Sequence, residues 1–126
     1  MSTRPFFWAT VVAMLGMAAV SPAQQIVINE IHYNPIGTDN EEFLELYNAG
    51  AEAADLTGWT ISDGVVFAFP VGTTIPAGGF LVIAKYPVYL QAATSYGGAL
   101  QWTSGSLENG GGERVAVSNA ESVVVD

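Results

Sequence analysis

At 126 residues the chain suits one modest domain, and about a hundred residues would remain once an export peptide is removed. With no cysteine it forms no disulfide, thiolate nucleophile or cysteine zinc site. A formal net charge of −9, from three Lys and Arg residues against twelve Asp and Glu, argues against nucleic acid as a partner, because phosphate binding draws on a basic patch that releases counterions.

Residues 1–23 predict a secretory signal peptide. Arg4 and the amino terminus form the positive n-region, Phe6 to Val20 the apolar stretch, and Ser21-Pro22-Ala23 sets small residues before a cut at Gln24. The apolar run is shorter than the roughly 20 residues a spanning helix needs, so the mature chain is expected to be exported, secreted or at the cell surface, with no stable membrane span.

From Ile26 the pattern alternates with a period of two. It predicts a strand with Ile26, Ile28, Glu30 and His32 on one face and Val27, Asn29, Ile31 and Tyr33 on the other. Asn34 to Asn40 supplies turn formers, and Glu42 to Asn48 alternates again, Leu44, Leu46 and Asn48 opposing Phe43, Glu45 and Tyr47. The turn Asp55 to Gly58 feeds Trp59, expected to plug the core, and Asp63-Gly64 is a hairpin signal between Trp59–Ser62 and Val65–Phe69. Pro70 ends that strand because it has no N–H for a ladder.

Phe80 to Lys85 is a nearly continuous apolar run, as in a strand covered on both faces. Tyr86 to Thr94 predicts one or two helical turns with Pro87 near their start. Gly97 to Gly112 reads as a Gly- and Ser-rich connection with Leu100, Trp102 and Leu107 as its buried points. Two closing strands follow at Glu113–Ser118 and Ser122–Val125. Strands at about ten-residue spacing with Gly, Pro and Asn between them predict an all-β antiparallel sandwich or barrel over residues 24–126.

These residues carry a resemblance. Ile28-Asn29-Glu30-Ile31, Glu42-Phe43-Leu44-Glu45-Leu46-Tyr47-Asn48, Asp55-Leu56-Thr57-Gly58-Trp59, Phe69-Pro70, Ile75-Pro76-Ala77-Gly78, Leu81-Val82-Ile83 and the run Leu107 to Val115 occur in an order that resembles the lamin-tail domain family, in the form found in exported bacterial proteins. The resemblance implies an immunoglobulin-like fold, a domain appended to secreted or surface proteins, and no enzymatic activity of its own. Such domains usually continue past Val123–Asp126 into another strand, so the expectation is a fragment of a longer protein, its sandwich lacking the last strand and its last edge unpaired.

Residues that could carry chemistry are few. Asp39, Glu41 and Glu42 crowd oxygen into a loop and are the calcium candidates, although the D-x-D-x-D-G series is missing; no other cofactor is expected. Glu30, Glu42 and Glu45 are the carboxylates that could do acid and base work, but Glu42 and Glu45 fall on opposite faces of one strand, which argues against a paired-carboxylate enzyme and for a structural role of these acids, capping turn amides or pairing with Arg114. His32, the single histidine, has no nucleophile elbow to serve and is expected to hold a ring-nitrogen hydrogen bond on its strand. Tyr96 and Trp102, inside the Gly-rich connection, are the ligand-binding candidates, since exposed rings stack on sugars. The expected role is a non-catalytic binding or adhesion module, its partner a cell-surface or matrix protein or a glycan. The alternatives are a structural spacer and, third, a small secreted hydrolase.

Overall fold

The computed structural model describes residues 25–126, so the expected signal peptide lies outside the described residues. Ten strands and one helix follow in order: β1 Ile26–His32, β2 Phe43–Asn48, β3 Ala54–Asp55, β4 Thr60–Ser62, β5 Val65–Ala68, β6 Thr74–Ile75, β7 Phe80–Ala84, helix α1 Pro87–Thr94, β8 Leu100–Gln101, β9 Ser104–Gly105 and β10 Ala116–Ser118. A 3-10 turn at Asp39–Glu41 leads into β2. Two four-stranded sheets, β1-β2-β7-β8 and β10-β4-β5-β9, share one core, and β3 pairs with β6 at its end. This is the all-β sandwich expected from the strand spacing.

The core is built where the alternation puts it. Leu44 and Leu46 of β2 and Ile83 of β7 meet Ile61, Val65, Phe67 and Val117 of the second sheet, and Trp59, Trp102 and Leu107 fill the space between them. Asp63 and Gly64 both take positive φ, 59° and 56°, which gives the two-residue turn whose twist suits the β4–β5 hairpin. β7 is covered on both sides beyond Leu81: Ile83 faces the core, while Val82 and Ala84 pack under Leu90 of α1. Helix α1 starts at Pro87 and ends at Ser95 in the left-handed region, φ 65°, where the Ser95 N–H donates to the Gln91 carbonyl. One pairing departs from the antiparallel expectation. The helix carries the chain across so that β8 joins β7 in parallel, Ile83 opposite Leu100, as helical crossovers do.

β1 corrects the expected faces. A bulge between Ile28 and Glu30 adds a residue, so Ile26, Ile28 and Ile31 stand opposite the inward residues Asn48, Leu46 and Leu44. His32 stands opposite Phe43, on the outer face. One inserted residue moves everything after it to the other side of the sheet, and strict alternation in the sequence cannot register it. The closing strands are also shorter than expected. Only Ala116–Ser118 is a strand, and the following segment folds back on it through a single bridge, Ser118 to Val124. Val125 N–H donates to the Val117 carbonyl at 2.8 Å, and Ile28 N–H of β1 donates to Asp126 Oδ2 at 2.7 Å.

Candidate functional site

β2 organises the polar groups of the interior. Its inward row runs Leu44, Leu46, Asn48, and Glu42, one step before the strand, extends it; all four are buried. Of the three carboxylates Glu42 takes the structural role, capping one loop amide, and its cation is Lys85 rather than Arg114. The Lys85 ammonium donates to Oε1 at 3.3 Å, Ser106 Oγ donates to the carboxylate at 3.1 Å, and Leu107 N–H donates to Oε2 at 2.9 Å. Arg114 instead reaches Asp63, 3.6 Å away on the surface. Lys85 follows β7, the neighbour of β2, so the ladder itself delivers it: Lys85 N–H donates to the Glu42 carbonyl.

Lys85 Nζ also donates to Ser106 Oγ at 2.7 Å, which sets a hydroxyl, an amine and a carboxylate together. These contacts tie the exposed Ser106 loop to the start of β2.

The calcium candidates are separated by the same geometry. Glu42 points inward and both its oxygens are engaged, whereas Asp39 is exposed and accepts from the Asn109 side chain at 3.3 Å. Glu41, in the 3-10 turn, is half-buried. Among the described residues no group of three or more His, Asp or Glu side chains is placed to hold a metal ion.

Of the two aromatic candidates, Trp102 is the buried point expected of its connection and not a ligand-binding ring. It is 4 % exposed, belongs to the core, and its indole N–H donates to the Gly105 carbonyl at 3.2 Å, so it offers no face to a sugar. The flanking Gly and Ser suggest a loop, but β8 and β9 pin both ends of this one and turn the indole inward. Tyr96 does lie at the surface. It borders a groove of about 380 Å³ on the outer face of the first sheet, shared with Phe43, Glu45, Phe80, Val82, Leu90 and Thr94.

The outer face was not anticipated as a site, although its signal was present. Phe43, Tyr47 and Phe80 are large and apolar at positions that alternation sends away from the core. Tyr47 and Phe80 stack with centroids 4.8 Å apart, and the His32 ring lies on Phe43 at 4.9 Å, 17° from parallel. His32 is therefore held by stacking, its Nδ1 4.0 Å from Glu30, rather than by the expected hydrogen bond. Glu45 accepts from the Asn29 amide at 2.7 Å and is the carboxylate in the groove.

The lamin tail domain family model matches residues 19–126, which takes in both sheets, the helix and the Glu42 tie. The chain belongs to the lamin tail domain family. No curated protein matches it. This lamin tail domain is an immunoglobulin-like module of a non-catalytic family. No helix among its described residues is long and apolar enough to cross a membrane.

Proposed function

We propose that this lamin tail domain is a non-catalytic binding module of an exported protein, holding a cell-surface or matrix protein or a glycan against the outer face of its first sheet. One observation carries the reading. The groove beside α1 is lined by aromatic and aliphatic side chains, with Phe80 53 % and Tyr96 42 % exposed, and no element of the described chain covers them. Full burial of a large apolar side chain is worth roughly 1.5 to 3 kcal/mol, so a partner that covers the part of each ring still in water recovers roughly half of that. Glu45 and the Tyr96 hydroxyl would add directional hydrogen bonds at its margin.

The test is retention of the purified protein on a glycan array and on whole cells or matrix proteins. The double variant Phe80→Ala, Tyr96→Ala should stay folded with a melting temperature only slightly below the parent's, since Phe80 gives up its contact with Tyr47, and should lose about tenfold or more in affinity. A protein that is retained nowhere, or a double variant that binds as well as its parent, would overturn the reading.

A further inference from the structure

The bulge in β1 leaves one end of the core open. Ile31 stands opposite inward Leu44, yet it is 43 % exposed. There a slot of about 400 Å³ opens between Ile31, Tyr33, Leu107, Val115 and the loop from Glu108 to Glu113. β1 forms one wall, and it is the end strand of its sheet. Among the described residues, the backbone of Asn29 to Tyr33 makes no hydrogen bond beyond those to β2. Farther along the same strand, Ile28 N–H already takes an acceptor from outside the sheet, Asp126 Oδ2.

We propose that this slot receives an extended segment of another polypeptide, added as a strand on the free edge of β1. Its alternate residues would be aliphatic and would fill the space over Ile31, Leu107 and Val115; others would be Lys or Arg. The main-chain groups of an edge supply affinity, and the alternating pockets supply selectivity. Charge chooses the partner. Glu30, opposite Glu45 and beside His32, stands on the outer side of this edge, where the alternate Lys or Arg would project, while Glu108 and Glu113 line the slot, which no Lys or Arg lines; Arg114, between two lining residues, reaches Asp63 instead. A second copy of this chain paired edge to edge would add its own Glu30 to that outer side, and like charges placed near one another are destabilising. The inference rests on the reading of the domain as a binding module but uses a different surface.

The experiment titrates the purified protein with a labelled peptide of about ten residues alternating valine and lysine. Its controls are the glutamate-for-lysine peptide and the lysine peptide N-methylated at alternate amides. Only the unmethylated lysine peptide should bind saturably, and its Kd should rise about tenfold between about 50 and 300 mM salt. Ile31→Lys should weaken it about tenfold or more with little change in melting temperature, since Ile31 is already partly in water. The Phe80→Ala, Tyr96→Ala variant should bind this peptide normally, and Ile31→Lys should leave retention on glycans, cells or matrix unaltered, so the two surfaces fail or succeed separately. Equal binding of the glutamate or N-methylated peptide, indifference to Ile31→Lys, no peptide binding at all, or self-association of the protein through this edge would each overturn the proposal.

Discussion

The two ends of β2's inward row solve one problem in two ways. Each end must attach loops to the core, and each uses a fully buried polar side chain. Asn48 does it without charge: its amide donates to the carbonyls of Glu52 at 2.8 Å and Ile75 at 2.9 Å, and its Oδ1 accepts from Gly50 N–H at 2.9 Å. Glu42 does it with a carboxylate, one cation, one hydroxyl and one amide. The difference follows from the partners each end meets. Around Asn48 the donors and acceptors are backbone groups from tight turns, which a neutral amide can satisfy in full. Around Glu42 the neighbours are donors, and a carboxylate is the side chain that only accepts. Asn48 is sealed, whereas the Glu42 end keeps a path to water through Lys85, which is 18 % exposed.

If that account holds, charge should be intolerable at one end and useful at the other. Asn48→Asp turns a carboxylate oxygen toward two carbonyl oxygens with no cation among the described residues in reach, and should cost about 3 to 5 kcal/mol in a denaturant titration, the largest effect expected. Glu42→Ala strands the Leu107 N–H in the interior and leaves Lys85 without its counter-ion, for a loss of about 3 kcal/mol. Glu42→Gln keeps an acceptor for that N–H while the ammonium turns to water, and should cost only about 1 to 2 kcal/mol. A Gln variant as damaging as Ala would show that the ion pair, and not the amide cap, holds this end together.

Much of this comparison could be seen in the sequence. Leu44, Leu46 and Asn48 share a parity with Glu42, so the inward row was legible, as was the separation of Glu42 from Glu45. The Asp63-Gly64 hairpin, the buried Trp59 and Leu107, and the helix after Tyr86 came from local chemistry that acts over a few residues. What escaped is non-local. Lys85 lies 43 residues beyond Glu42, and only the β2–β7 ladder selects it over Arg114. The bulge after Ile28 is a backbone event with no mark in an alternating pattern, yet it turns Ile31 inward and His32 outward and so creates both the slot and the His32–Phe43 stack. Trp102 was legible as a buried point of its connection, but the two short pairings on either side that hold it there were not. The outer groove needed the helix packed on β7 before its separate aromatics became one surface.

A third polar fastening, near the Asn48 end, tests how far charge matters when water is present. Asp55 of β3 accepts from Thr57 Oγ1 at 2.6 Å and Thr57 N–H at 2.9 Å, and Thr57 Oγ1 in turn accepts from Gly72 N–H. The Thr57 hydroxyl first, and then its amide, hold the Asp55 carboxyl below its ordinary value of 3.8. A group whose folded value is depressed stabilises the fold fully above the unfolded value and loses that contribution as pH falls through the folded one. Thr57→Val removes the larger cause, so its melting temperature should lie below the parent's at neutral pH by about 2 °C and converge with it in acid, below the ordinary Asp range. The effect is the smallest of the three because Asp55 stands in solvent, where water replaces most of what the hydroxyl supplies. A gap between Thr57→Val and parent that persisted unchanged into acid would assign the loss to the hydroxyl's bond with Gly72, and would leave the carboxylate at this end without an energetic part.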